Sequence, residues 1–301
     1  QPAAAGCRRR GQGLAMNNAT LIGAGAIVLW SMAATLTAIA GATPPFLLLA
    51  TTFLVGGLVG LVYIVVSGRP LASAVATSWR AWGIGLWGLF GFHAAYFLAL
   101  TSAPVAIANL INYLWPLLLV VFSGLGRTGS GGRRLAPLAG AMLGFCGVLT
   151  LAIGATGGLN VDAGFGYAMA LLAAFIWASY SAASSRMPSV PTEAITGFCF
   201  ATALMALPIH IVAEPRFAFP PLPDALAILA LGLGPMGTAF FLWDHGLKKG
   251  DAAFLGALAY ATPVLSTGLL VLFGLTPLTP LLGFAALLVA AGAVVAARCR
   301  F

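Results

Sequence analysis

Charge is what this sequence has least of. Only 7% of its 301 residues are charged, with six acids against fourteen lysines and arginines. A water-soluble domain carries about 25% charged residues, so a water-facing exterior cannot be built from so few. A hydrophobic share of 61% and a mean hydropathy of +1.03 agree that most of the surface faces lipid. Soluble readings fall on that ground. Cysteine is also scarce: Cys7, Cys146, Cys199 and Cys299 show neither a CxxC pair nor Cys/His spacing. No metal and no cofactor are expected, and Cys146 and Cys199 read as small apolar filler within spans. Acid pairs, GxSxG and HExxH are missing too, which leaves an intramembrane enzyme without support.

What the chain has is long apolar runs. A helix rising 1.5 Å per residue needs roughly 20 apolar residues to cross a hydrocarbon core ~30 Å thick. Ten such stretches occur, near Asn18–Ala40, Pro44–Ser67, Trp79–Thr101, Pro104–Leu125 and Leu135–Ala155, then Phe165–Ser185, Thr192–Ala213, Ala225–Leu247, Asp251–Gly274 and Pro280–Ala297. No loop between them is long enough to fold by itself. The pattern predicts an all-α membrane protein of ten transmembrane helices. Residues 1–17 read as a cytoplasmic amino-terminal tail; Gln1–Ala15 carries Arg8–Arg10 and no apolar run, so it does not read as a signal peptide.

Charge placement orients the spans. With the amino terminus inside, Arg8, Arg9, Arg10, Arg69, Arg80, Arg127, Arg133, Arg134, Arg186, Lys248, Lys249, Arg298 and Arg300 are cytoplasmic, and Arg216 alone is outside. That is a strong positive-inside bias, with both termini cytoplasmic. The net charge of +8 is therefore a topology signal, and no nucleic-acid partner is expected.

A repeat at an offset of 147 residues relates Trp30 to Trp177, Pro44 to Pro191, Leu100 to Leu247, Tyr113 to Tyr260 and Pro116 to Pro263. It divides the chain into a first repeat, 18–155, and a second, 165–297. Five spans per repeat is an odd number, so the second repeat enters from the opposite side: a 5+5 inverted-topology repeat. Such repeats are common in secondary transporters, with the substrate site near the midplane between halves.

Aromatic and polar groups lie at unusual depth. Trp79, Trp82 and Tyr167 sit at headgroup level, as tryptophan and tyrosine commonly do. Trp30, Trp115, Trp177, Tyr96 and Tyr113 fall near mid-span, with Tyr180 and Tyr260 not far off. On span three His93 and Tyr96 share a face with Leu89 and Leu100. On span four Asn109, Asn112, Tyr113 and Pro116 form one stripe, which Trp115 flanks. Span six offers Trp177, Tyr180, Ser181 and Ser184, and span one Trp30, Ser31 and Thr35. Such groups serve either as interhelical glue or as the lining of a shared cavity. Together they point to a cavity whose substrate contacts are Trp30, His93, Tyr96, Asn112, Tyr113, Trp115, Trp177 and Tyr260. Its lack of an embedded ion suits a net-neutral zwitterionic solute with an aromatic ring; an aromatic cation is the alternative, through cation–π contacts.

Pro116 and Pro263 interrupt spans four and nine at equivalent positions, as candidate hinges or as static kinks. His210 reads as interfacial. Asp244 and Lys248 are spaced for an ion pair at a helix end, with Asp251 as a cap for span nine. Gly56, Gly57, Gly60, Gly140 and Gly144 suggest close helix seams, one of them a possible seam between copies, so a monomer or a weak homodimer is expected.

The ten-span inverted duplication, Trp30-Ser31 echoed by Trp177, and the Tyr-x-x-Pro pairs Tyr113/Pro116 and Tyr260/Pro263 resemble the drug/metabolite transporter superfamily, in particular its EamA-type members. Within these, His93-Ala-Ala-Tyr96 followed by Asn109-x-x-Asn112-Tyr-Leu-Trp-Pro116 is similar to the YddG-type aromatic amino acid exporters. The resemblance runs the whole chain from about Met16. It implies export of aromatic amino acids, or of cationic aromatic toxic compounds, across a bacterial inner membrane by alternating access. A channel, an intramembrane enzyme, and a non-transporting assembly or sensor subunit are the rival classes.

Overall fold

The computed structural model describes residues 17–40, 43–103, 105–124, 132–153, 161–214, 220–274, 278 and 280–298. The tail 1–16 with Arg8–Arg10, and Arg127, Arg216, Cys299 and Arg300, lie outside the described residues. All the regular elements among the described residues are helical. The first half supplies α1 (Asn18–Ser31), α2 (Ala33–Ile39), α3 (Pro45–Val66), α4 (Trp79–Leu86), α5 (Phe92–Ser102), α6 (Val105–Asn112), α7 (Trp115–Gly124) and α8 (Gly132–Ile153). The second supplies α9 (Gly164–Ser184), α10 (Ala194–Ala213), α11 (Leu222–Leu233), α12 (Ala239–Lys249), α13 (Ala252–Leu258), α14 (Ala261–Leu272) and α15 (Pro280–Arg298).

Local chemistry sets where these helices begin. Side-chain oxygens of Asn17, Ser78 and Asp251 accept the backbone N–H groups of Ala19, Ala81 and Phe254, each satisfying an otherwise orphaned first-turn donor. Pro45 opens α3, where a missing N–H costs nothing.

Among the described residues, six stretches are long and apolar enough to cross a bilayer: Asn18–Thr37, Pro45–Val66, Trp79–Ser102, Gly164–Ser184, Ala194–Ala213 and Leu222–Lys249. The protein is a multi-pass membrane protein. The fourth and ninth expected spans are each interrupted, at Tyr113–Leu114 between α6 and α7 and at Ala259–Tyr260 between α13 and α14. The cause lies three residues downstream. Pro116 and Pro263 have no N–H for the carbonyls of Asn112 and Ala259, and a proline ring crowds the carbonyl four residues back. The breaks thus lie one turn before the prolines themselves.

The offset of 147 residues recurs in the backbone. A wide π-turn at Trp87–Gly91 joins α4 to α5, and another at Gly234–Thr238 joins α11 to α12. The helix ends at Val66 and Ala213 share the offset, as do those at Ser102 and Lys249, and the breaks at Tyr113 and Tyr260.

Side-chain bonds tie the helices together at both ends of the bundle. Asn17 donates to the Lys249 carbonyl at 3.1 Å, Lys248 to the Val190 carbonyl at 2.9 Å and Arg186 to the Phe122 carbonyl at 2.6 Å, which sets these residues on one side of the bundle, the terminus side. Arg69, following α3, pairs there with Glu193 at the start of α10. At the far end the roles reverse. Glu214, following α10, accepts the N–H groups of Phe46 (2.7 Å) and Leu47 (3.2 Å) at the start of α3, and His210 Nδ1 lies 2.8 Å from it. His210 is therefore buried beside Glu214 in a pin between α3 and α10, at the end of α10.

The glycine seams close within the chain. Gly56 abuts the Met236–Gly237 backbone, Gly57 the Phe200 ring, Gly60 the Thr196 and Phe241 side chains, and Gly144 the Tyr260 ring. Gly23 of α1 and Gly246 of α12 meet backbone to backbone, a separation that a Cβ on either would prevent. Cys199 is buried filler, whereas Cys146 is exposed on the outer surface. Trp79 is exposed and carries the Arg80 guanidinium 5.5 Å above its ring, which suits the headgroup zone.

Candidate functional site

A cavity of about 490 Å³ occupies the half of the bundle away from the terminus side. That volume falls in the range of small-molecule pockets, about 300–1,000 Å³. Its wall from α5 carries Phe92, His93, Tyr96, Phe97 and Leu100. Asn109 and Tyr113 face in from the fourth span, and Thr262, Pro263 and Ser266 from α14. Trp30 and Thr37 of the first span, Leu49 and Thr52 of α3, and Leu231 and Met236 of the eighth complete it. No Asp, Glu, Lys or Arg is among the described residues that line it.

Two polar arrangements stand in this wall. The Tyr96 hydroxyl donates to Asn109 Oδ1, tying α5 to α6, while the Tyr96 ring stacks on Phe92 with centroids 5.6 Å apart and planes 8° from parallel. His93 Nδ1 lies 2.6 Å from the Leu89 carbonyl oxygen. An acceptor at that distance fixes the proton on Nδ1, so in the neutral ring Nε2 is left as the acceptor. Leu89 belongs to the π-turn, where the helical ladder is displaced and a carbonyl is free to take a side-chain donor. Phe53, Phe92 and Phe97 meet the imidazole edge-on with centroids 4.9, 4.9 and 6.3 Å away.

Trp30 forms the floor. Its indole N–H donates to the Pro235 carbonyl at 3.0 Å, and its ring meets those of Trp243 at 5.1 Å, Trp177 at 5.6 Å, Phe240 at 6.1 Å and Trp115 at 6.4 Å. Tilted and edge-on aromatic pairs of this kind contribute about 0.5–1.5 kcal/mol each beyond the area they bury. Below them Trp243 donates to Ser181 Oγ at 3.1 Å. Lower still, the buried Asp244 carboxylate accepts from Ser184, Thr192 and Lys248, each at 2.7 Å. These contacts run from Trp30 through Trp243 to the Asp244 network on the terminus side.

The two broken spans treat their two ends differently. On the terminus side α7 packs on α13, where Gly256 lies under the Pro116 carbonyl. Beyond the breaks α6 and α14 each give residues to the cavity lining, Asn109 from one and Thr262, Pro263 and Ser266 from the other.

Of the residues singled out in the sequence, Trp30, His93, Tyr96, Tyr113 and Pro263 line the cavity. Trp115 and Trp177 do not; they are buried behind Trp30 in the aromatic floor. Asn112 is buried with no hydrogen-bond partner for Oδ1 among the described residues, because the break after it turns Tyr113 to the cavity instead. Tyr260 is fully buried against Gly144 and Phe145. Leu89 shares no wall with His93 and Tyr96, since the π-turn separates their registers. Asn109 carries the polar contact expected of Asn112. Phe92, Phe97 and Met236 escaped the sequence reading because nothing distinguishes one apolar residue from another in an apolar span. Trp243 left a signal, a mid-span indole like the other three, and so did Glu193, an acid where a span begins.

Residues 164–298 match the family model of the EamA-like transporter family. The aromatic amino acid exporter YddG of Ancylobacter novellus is 45% identical over 287 residues, covering 94% of this chain and 98% of that protein. The proteins of the same name from Salmonella typhimurium and Escherichia coli are 29% and 27% identical, over 87% and 92% of this chain. A crystal structure that is 44% identical superposes with a TM-score of 0.87 and covers 94% of this chain and 99% of its own.

Proposed function

This chain belongs to the EamA-like transporter family, among relatives of the YddG type, and from that premise we propose that it exports aromatic amino acids by alternating access. The observation that carries the reading is the cavity itself. Its floor and one wall are aromatic, and its polar groups are the neutral His93, Tyr96, Asn109 and Tyr113. A zwitterion brings its own compensating charges. It needs hydrogen-bond donors and acceptors for its head, which Tyr113, Asn109 and His93 Nε2 supply, and ring faces for its side chain, which Trp30 and Phe92 supply. A phosphate-bearing solute would need cations that this lining lacks.

The chain spans the bilayer ten times as two inverted halves, a reading supported by the offset shared by π-turns, helix ends and helix breaks. The bias of the basic residues supports cytoplasmic termini, and the likeness to bacterial exporters supports an inner membrane. The cavity then faces outward, and the Trp30 floor with the Asp244 network closes the cytoplasmic path. In the opposite state α6 and α14 close together while α7 and α13 separate, the exchange that an inverted repeat makes energetically comparable. Trp177 and Tyr260 then take the places of Trp30 and Tyr113. With no embedded carboxylate in the lining, movement down a gradient is the simplest coupling, and His93 is the proton-carrying candidate if coupling exists.

Uptake into liposomes of tryptophan, phenylalanine, alanine and a dicationic aromatic compound, with and without a pH gradient, tests this. Tryptophan and phenylalanine should outrun alanine by about tenfold, the scale of a ring's worth of burial. Equal rates for alanine and phenylalanine would overturn the reading. Preferential movement of the dication would favour the second reading, a carrier of aromatic cations held over the Trp30 and Phe92 faces.

A further inference from the structure

On the other flank of the second π-turn lies a separate crevice of about 420 Å³. Its deep end is Thr238, the last residue of that turn, and its rim is Lys249 at the end of α12. At 1.5 Å per residue this run is about 16 Å long, and one leaflet of a ~30 Å hydrocarbon core is about 15 Å. The depth is apolar, walled by Val59, Phe241 and Leu242, with Ile22 nearer the rim. Ile22 and Tyr63 are 40% and 47% exposed on the outer faces of α1 and α3, so the crevice opens sideways to lipid.

The rim is basic. Arg69, Lys248 and Lys249 line it with His245, against one acid, Glu193. Glu193 is already paired with Arg69, and Lys248 is held by Asp244, so Lys249 and His245 supply the charge and donors that face outward. Basic pockets between helices at a membrane surface recognise anionic headgroups.

We propose that this crevice binds an anionic phospholipid of the terminus-side leaflet. Its phosphate sits at Lys249 and His245, and one acyl chain lies between α1, α3 and α12. A free inorganic anion would meet the rim but leave the apolar depth empty; a lipid satisfies both. The ligand would rest on the turn whose Met236 lines the substrate cavity and whose Pro235 carbonyl holds Trp30, so it would brace that wall from behind.

The test is native mass spectrometry of the full chain in detergent, titrated with phosphatidylglycerol, with phosphatidylcholine of the same acyl chains, and with inorganic phosphate. Phosphatidylglycerol should bind about tenfold more tightly than phosphatidylcholine, and Lys249→Gln with His245→Gln should erase that preference. Val59→Trp, which fills the depth, should weaken both lipids alike. Equal binding of the two lipids, or an unchanged preference in the rim double variant, would overturn the proposal. Displacement of phosphatidylglycerol by millimolar phosphate would overturn it as well, making the rim a soluble-anion site.

Discussion

The indole N–H of Trp30 donates to the backbone carbonyl of Pro235, 3.0 Å away, and joins the first span of one half to the π-turn of the other. The positions related to these two by the repeat offset are Trp177 and Gly88, and they are arranged differently: Gly88 lies directly under the Tyr180 ring. The floor is therefore held by a bond specific to this face of the repeat.

Trp30→Phe keeps an aromatic floor and removes that bond. A net hydrogen bond contributes about 1 kcal/mol, so a modest fall in the thermal midpoint of the detergent-solubilised protein is expected. Tryptophan uptake should slow several-fold. An unchanged rate would show that the floor has no part in transport.

Tyr96→Phe and Asn109→Ala each cut one bond of the cavity wall. Each should lower transport about fivefold, the rate equivalent of about 1 kcal/mol. Because the two share that bond, the double variant should be little worse than either single one. Additive losses in kcat/KM would show that they act separately.

Asp244 and Lys248 are both nearly inaccessible, with side chains 2% and 5% exposed. Asp244→Asn leaves a buried ammonium without its counter-charge, a loss of ~3–5 kcal/mol that thermal unfolding in detergent should register. Lys248→Met in the same chain should restore much of it, since removing both charges costs less than stranding one.

Pro116→Ala returns an N–H to the turn that reaches the Asn112 carbonyl and allows α6 and α7 to join into one helix. If the break moves during transport, turnover falls several-fold while the protein stays at least as stable. Normal turnover in the alanine variant would make the break a fixed shape.

Much of this was legible from residue type and spacing. The apolar runs, the Tyr113 and Tyr260 breaks with their prolines, the Asp244–Lys248 pair and the Asp251 cap all have local causes. The two Tyr-x-x-Pro sites also show where legibility ends. As sequence they are equivalent, yet Tyr113 lines the cavity and Tyr260 is sealed behind Gly144. Trp30 and Trp177 divide in the same way, one at the cavity and one behind it. A repeat specifies two matching places; the conformation decides which one is open. The ties of Glu193 to Arg69 and of Glu214 to the backbone of Phe46 could not be read, since those partners lie across a helix packing that spacing along the chain does not reveal.

The π-turn at Trp87–Gly91 has a consequence for anyone drawing the third span as a wheel. A turn closed over one residue too many advances the chain without advancing its angle, and one residue is worth about 100°. Everything from Phe92 onward is thus out of phase with Trp79–Leu86 by more than a quarter turn. A face drawn through Arg80 and Ile84 and continued past Gly91 would aim at the wrong neighbour, and His93, Tyr96 and Leu100 reach the cavity only because the phase slips there. The same slip at Gly234–Thr238 resets the eighth span, so the two halves each carry one angular correction at the depth where the solute would lie.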